Sequence, residues 1–401
     1  MSRRSTIGSL ALAILLGTSQ AASAAFFQGL GDLPGGETRS EARDVSANGA
    51  VVVGIGRSPF GGEAFRWTSA TGMVGLGDLP GGDFFSGALG VSANGLVIVG
   101  GSHSALTGLV DEAFRWTAVT GMVGLGDLPG GQNLSVATAA SADGSVVVGA
   151  SGSHLSPNLG EAFYWTEDTG LVPLGNLLGG PGSSLATDVS WDGAVVVGSA
   201  TSTLGRQAFR WTTAGGMVGL GDLPGGSFDS QALGVSADGS VVVGSSSSDE
   251  LPGGEAFRWT AATGMEGIGP SPDVGGGLRS FAWAVSADGS VVVGGWTLLG
   301  ASEPFLWDEA GGMRNLTADL VALGLGPELA GWDLVEARGV SHDGQTIVGW
   351  GFNPAGDREA FVAYLGPESA SVLEIPTLSR GALVALVALL AAIGVAVLRQ
   401  L

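Results

Sequence analysis

The chain has 401 residues and not one cysteine. Disulfide frameworks, thiolate metal sites and cysteine nucleophiles are therefore excluded. Lysine is missing too: the 16 basic residues are all arginine, against 37 acidic ones, for a formal net charge of −21. Such an acidic surface repels phosphate backbones and anionic headgroups, which argues against nucleic acid as a partner. Cations, sugars and basic partners stay compatible with it. The three histidines, His103, His154 and His342, show no metal-ligand spacing of the His-Glu-x-x-His kind. There is no Gly-x-Ser-x-Gly elbow, so no catalytic residue is assigned, and no cofactor motif either. Glycine, by contrast, fills 73 positions while aliphatic residues stay plentiful. That pairing describes many turns around a real core rather than a disordered chain.

Both ends carry targeting signals. Arg3 and Arg4, an apolar run over residues 7–16 and the small-x-small site Ala22-Ser23-Ala24 read as a secretory signal peptide, 1–24, cut after Ala24. Near the other end, residues 381–398 are uncharged and apolar, roughly 27 Å as a helix, enough to cross a bilayer. Arg399 follows, as expected of a cytoplasmic end. Just ahead stand Ile375, Pro376, Thr377, Leu378 and Ser379. Pentapeptide, apolar helix and basic end together resemble the IPTL-CTERM sorting signals of Gram-negative bacteria. The resemblance covers residues 375–401. It implies the secretion machinery and an exosortase-type membrane protease as partners, and a cell-surface or extracellular destination. The alternative is a retained helix serving as a membrane anchor. Residues 366–374 read as the linker.

Between the ends one sentence repeats. Its clearest copy runs Val45-Ser46-Ala47-Asn48-Gly49-Ala50-Val51-Val52-Val53-Gly54, then Glu63-Ala64-Phe65-Arg66-Trp67-Thr68, then Met73-Val74-Gly75-Leu76-Gly77-Asp78-Leu79-Pro80-Gly81-Gly82. The Val-Ser landmark recurs at Val91, Ala140, Val189, Val235, Val285 and Val340. Each copy reads as four short strands. The first two are joined by a two-residue Asn-Gly or Asp-Gly hairpin turn. The Val-Val-Val-Gly strand is apolar enough to be buried on both faces. The third strand alternates, with Phe65 and Trp67 on one side and Arg66 on the other. No helical periodicity stands out between residues 26 and 365, so the expected class is all-β.

Counting the strands separates a ring from an open array. The first three strand types occur seven times, whereas the fourth follows only six of the aromatic strands. The missing copy, Phe27-Gln28-Gly29-Leu30-Gly31, sits at the front of the mature chain. Residues 25–365 are therefore expected to form a seven-bladed β-propeller whose N-terminal strand completes the last blade and seals the edge. A β-solenoid is the alternative, but it would need capping units, and none is visible. The copies resemble the HAF repeats of bacterial extracellular proteins, with their Ala-Phe before the Trp strand and Leu-Gly-x-Leu-Pro-Gly-Gly element. Here Glu63, Glu112, Glu161, Gln207, Glu255, Glu303 and Glu359 replace the family's histidine, so no role of that residue carries over. The resemblance implies extracellular placement and little chemistry.

A rigid scaffold usually carries function on its variable loops. The loops after the second strands should share a face with the inter-blade linkers. Arg57, His103, Asp111, His154, Arg206, Asp249, Glu250, Trp296 and Arg358 are the candidate ligand face. Asp32, Asp78, Asp127 and Asp222 of the Asp-Leu-Pro-Gly-Gly elements cap their own turns or, alternatively, supply carboxylates for Ca²⁺. The Glu and Arg flanking Ala-Phe are expected to pair or pack between blades. The function expected is a non-enzymatic surface module that binds a polysaccharide or an envelope protein, or builds the extracellular layer. Two rivals remain: a secreted glycan-active hydrolase or lyase, with carboxylates meeting across the ring, and a Ca²⁺-dependent adhesin.

Overall fold

The computed structural model describes residues 24–154, 160–180, 182–251, 253–269, 279–298 and 300–367. The expected signal peptide up to residue 23, the expected linker beyond 367, the Ile375–Ser379 motif and the 381–398 segment lie outside the described residues. Among the described residues no helix is long and apolar enough to cross a membrane. The repeats all fall within one compact unit, Ala25–Leu365.

The repeat becomes seven four-stranded antiparallel sheets among the described residues, the fourth and fifth joined by one parallel pair, Arg206 with Asp229. Their first strands are Ser40–Val45, Ser86–Val91, Gly130–Ala140, Ser184–Val189, Gly225–Val235, Arg279–Val285 and Asp333–Val340. The seventh sheet takes its fourth strand from the N-terminus: Phe26–Gly29 pairs with Arg358–Tyr364.

Apolar residues pack between sheets, in seven clusters. One joins Val51, Val53 and Ala64 of the first sheet to Ala88, Val91, Ile98 and Phe114 of the second. The pattern repeats around the chain, and a further cluster joins Val348, Ala360 and Val362 of the seventh sheet to Ala42, Val45, Val52 and Phe65 of the first. An open row of seven sheets would have six such interfaces; the seventh exists because the row returns on itself. Each cluster centres on a fully buried phenylalanine, Phe65, Phe114, Phe163, Phe209, Phe257, Phe305 or Phe361. Burying each contributes about 1.5–3 kcal/mol. A hydrogen-bonded circuit runs beside the cores. The backbones of Ala47, Ala93–Asn94, Ala142, Trp191, Ala237, Ala287 and His342 are linked in turn, and His342 N–H returns to Ala47 O at 3.0 Å.

A serine latch recurs at the interfaces. Ser86 Oγ donates to Gly77 O at 2.5 Å and accepts Ala64 N–H at 2.9 Å. Ser40 closes the circle in the same way, on Gly31 O and Ala360 N–H. Between the sixth and seventh sheets the latch is missing, because Pro304 has no N–H and the buried Leu334 takes the serine's pairing position.

Two sequence expectations need correction. The Asn-Gly and Asp-Gly turns are not two-residue hairpins. Ser46 N–H reaches Val51 O, and Gly49 N–H reaches Ser46 O, so four residues form the loop. Asn48 Oδ1 accepts from Ala50 N–H while Ser46 Oγ holds Val51 N–H. The side chains close a longer turn than the dipeptide alone suggests. Second, the chain is not entirely strand. Leu316–Leu320 is a short helix continued by a π turn over Val321–Leu325. Asn315 caps it on Ala318 N–H at 3.0 Å, and Leu316, Leu320 and Leu325 enter the core around Phe27 and Phe361. At five residues it is too short to display a helical period.

Candidate functional site

The first strands have an inner edge that is free but for the single Arg206–Asp229 pair and, two residues before the Val-Ser landmark, a β-bulge. The register shifts between Ala42 and Asp44, and at the same place in the other six sheets. A bulge leaves one residue outside the pairing and re-aims its side chain. Gly54 opposes it and has to be glycine: a Cβ there would lie 1.9 Å from Glu41 O. The same carbonyl contact, at 1.9–2.0 Å, recurs at Gly100, Gly149, Gly198, Gly244, Gly294 and Gly349. This is the physical reason for the glycine that ends each valine run.

The seven bulged residues are Arg43, Leu89, Thr138, Thr187, Leu233, Trp283 and Arg338. In the third and fourth sheets they are scaffold, since Thr138 and Thr187 donate to Ala186 O and Ala232 O of the next sheet. In the sixth, seventh and first sheets, neighbours around the ring, they are Trp, Arg and Arg. Arg338 lies 3.8 Å over the Trp283 ring and bonds Glu336 at 2.6 Å. Burial lowers the Arg338 pKa and nearby Arg43 adds to this, while Glu336 opposes it. Arg43 donates to Glu41 at 2.7 Å. Arg358 also reaches Glu41 and lies 4.1 Å over Trp350, whose Nε1 donates to Glu336 at 3.1 Å. Arg39 approaches Glu41 at 3.8 Å. Arg43 Nε and Trp283 Nε1 are buried with no hydrogen-bond acceptor.

A second assembly fills the centre of the ring. Asp44 and Asp188, one position after the bulge in the first and fourth sheets, line a cavity of about 120 Å³ with Trp191 and His342. Trp191 and His342 stack with ring centroids 4.5 Å apart. Asp44 accepts the N–H groups of Val45 and Val91 at 2.7 and 2.8 Å. Asp188 holds Val189 and Val235 likewise, at 2.8 Å each. Desolvation raises both carboxyls to about 7 despite those bonds, and Asp44 adds to the rise at Asp188. Both therefore cap inner-edge amides that have no strand partner.

The loops and linkers do share a face, as expected. Ala105, His154 and Asp249 donate their N–H groups to Pro80, Pro129 and Pro224 of the neighbouring linkers. The nine candidates on that face fare differently. Arg57 is exposed and lines a groove with Arg39, Arg43 and Phe85. Arg358 joins the arginine cluster. His103 packs its ring at a tilt, 4.8 Å from that of Phe85, and stands 4.0 Å from Asp111, whose carboxyl is raised by burial. Arg206 is engaged by Asp229 at 2.7 and 3.1 Å. His154, Asp249 and Glu250 are exposed. Trp296 needs correction: it is a core residue, 4% exposed and stacked on Phe305, because its strand runs on to Leu298. Among the described residues the flanking Glu and Arg form no ion pair with each other, while packing between blades, the other half of the expectation, is seen at Arg115. Glu63 instead accepts Gly77 N–H of its own sheet at 3.0 Å, in space that a Cβ at Gly75 would fill. Arg115 reaches across to Gly144 O and lies 6.0 Å over Trp165.

Asp32, Asp78, Asp127 and Asp222 sit in separate copies of the element, each beside a buried leucine, Leu33, Leu79, Leu128 or Leu223. Desolvation raises Asp78 and Asp222, and each is held by its own backbone N–H. Among the described residues no three His, Asp or Glu side chains converge as metal ligands would.

Sequence reading missed Glu41, Arg43, Asp44, Asp188, Trp283, Glu336 and Arg338. A signal existed: aligned on Val-Ser, the column two residues upstream reads Arg, Leu, Thr, Thr, Leu, Trp, Arg.

No protein-family model matches the chain, and no curated protein matches it significantly. Among solved structures it resembles an oligogalacturonate lyase in complex with manganese, with TM-score 0.52, 12% identity, and 86% of this chain and 98% of that one covered. The β-propeller domain of the Trilobed protease from Pyrococcus furiosus aligns with TM-score 0.48 and 10% identity, over 88% and 98% of the two chains. TolB from Acinetobacter baumannii aligns with TM-score 0.40 and 10% identity, over 56% of this chain and about half, 52%, of TolB. At these identities the likeness concerns architecture alone. The chain is an all-β protein of the β-propeller type.

Proposed function

We propose that this is an exported envelope protein whose seven-bladed propeller, closed by its own N-terminal strand, is a non-catalytic binding module. The carrying observation is broken symmetry. Seven bulges share one backbone geometry, yet three neighbouring ones hold Trp283, Arg338 and Arg43, with Arg43 Nε and Trp283 Nε1 buried and unsatisfied. Buried donors without acceptors cost about 1–3 kcal/mol each; both are closed to solvent, so a ligand oxygen removes that cost only when the side chains around them shift. The signal-like sequence ending at Ala24 and the Ile375–Ser379 motif with the apolar run after it support export. They also support processing by an exosortase-type protease, or anchoring by the uncut apolar segment.

Binding is favoured over cleavage by the state of the carboxylates. The two that share the central cavity, Asp44 and Asp188, are each committed to two amide donors. Their cavity, about 120 Å³, falls well short of the roughly 300–1,000 Å³ of ordinary ligand pockets. The test is a screen of the full-length protein against envelope and matrix polysaccharides for binding and for hydrolase or lyase turnover. The expected result is binding without turnover, weakened in Arg43→Gln and Trp283→Phe. Robust turnover, or binding indifferent to both substitutions, refutes the reading.

A further inference from the structure

The groove between the first and second sheets suggests what the loop face binds. It encloses about 270 Å³ and is lined by Arg39, Glu41, Arg43, Arg57 and Phe85, with Ile55 and two glycines completing it. Arg39 and Arg57 are paired neighbours, Arg57 N–H donating to Arg39 O at 3.0 Å. In the second sheet the same two positions hold Phe85 and His103, ring against ring at 4.8 Å. The groove thus carries arginines on one side and the Phe85 ring, backed by His103, on the other. Phe60 and Phe84, 5.4 Å apart, add a further aromatic pair near the groove: Phe60 is three residues beyond Arg57, and Phe84 adjoins Phe85.

Charge on the cationic side is not balanced internally. Among the described residues Glu41 is the only carboxylate lining the groove; it accepts from Arg43 and Arg358 and is the counter-charge to Arg39 at 3.8 Å. One negative charge cannot neutralise three guanidinium groups. Arg57 adds a fourth, exposed and with no ion-pair partner among the described residues. In a chain of net charge −21, such a local excess of positive charge marks a place for an anion. Guanidinium forks match planar carboxylates, and an aromatic wall suits the C–H face of a sugar ring. The groove is somewhat smaller than a drug-sized pocket, which fits one ring of a longer chain.

We infer that this groove binds a carboxylate-bearing sugar, a uronate unit of an acidic glycan, with its carboxylate on Arg39, Arg43 and Arg57 and its ring against Phe85. The inference rests on the binding-module reading and specifies its ligand. Calorimetry on the full-length protein would compare an alginate tetramer, the same tetramer with its carboxyls reduced, and inorganic phosphate, at low and moderate salt. The uronate tetramer should bind and the reduced one should not, with affinity falling as salt rises. Arg57→Gln and Arg39→Gln should each weaken binding about tenfold or more without moving the melting temperature. Arg206→Gln, whose side chain is paired with Asp229 on the same face, should bind as wild type does. Equal affinity for the reduced tetramer, indifference to Arg57→Gln, or phosphate competing as well as the uronate overturns the inference. If no uronate binds while another envelope polysaccharide still depends on Trp283, this inference falls and the binding module stands. If no polysaccharide binds at all, both fall.

Discussion

Phe27 tests the closed ring most directly. Its side chain is 8% exposed, 5.7 Å from the Phe361 ring and 5.2 Å from Trp332. It lies on the strand that completes the seventh sheet. Phe27→Ala removes a buried aromatic, for which core truncations cost about 3–5 kcal/mol. Against a total stability of about 5–15 kcal/mol, that is a large share. In a ring the loss loosens the seam that supports both neighbours, so the whole module should unfold earlier, in one cooperative step. Urea unfolding followed by Trp fluorescence gives the midpoint, and amide hydrogen exchange locates the effect. Phe163→Ala, in a fully buried position far along the chain, is the control and should move the same single transition by a similar amount. The expected pattern for Phe27→Ala is weakened protection throughout, including the inner strands Gly130–Ala140 and Ser184–Val189. If exchange quickens only in Phe26–Gly29 and Arg358–Tyr364 while the third and fourth sheets keep wild-type protection, the ring reasoning is wrong.

Three further outcomes are expected. Gly149→Ala should destabilise by about 1–3 kcal/mol or more, because its Cβ would meet Val136 O at 1.9 Å and the backbone would have to move; a neutral melting temperature contradicts the bulge argument. Ser230→Ala should cost about 1–3 kcal/mol in thermal melts by orphaning Ala208 N–H and Gly221 O. Asp44 and Asp188 hold protons up to about pH 7 when folded, against 3.8 as the ordinary value. The folded state therefore keeps protons that the unfolded chain has released, and stability falls as pH rises from about 4 to 7, by up to ~4 kcal/mol per carboxyl. Asp143, Asp192, Asp238, Asp288 and Asp308 are shifted down and act the opposite way below that window. Urea midpoints at pH 4.5 and 7.5 measure the slope, which Asp44→Asn with Asp188→Asn should flatten; an unchanged slope in the double variant assigns it elsewhere.

Much of the fold was legible because its determinants are local and repeated. A two-residue period, valine runs and turn residues mark strands wherever they lie, and seven copies average away the noise of any one. Strand counting even pointed to Phe27 as the missing partner of the last sheet. The failures share one cause. The turn length, the placement of Trp296 and the short helix each depend on how far pairing continues past the motif, which packing decides.

The site was illegible for a related reason. Arg43, Trp283 and Arg338 read as incidental variation until the bulge re-aims their side chains, and Asp44 and Asp188 look like any strand carboxylates. Nor does a loop-centred search find them, because they sit on inner strands. The sequence by itself determined the strands and the places of the turns, which depend on residues only a few positions apart. Only the tertiary structure decided which unlike residues meet. Ring closure brings Arg358 to Glu41 across 317 positions, and sheet packing sets Phe85 opposite Arg39. No pattern along the chain encodes those meetings, because they follow from the path of the backbone.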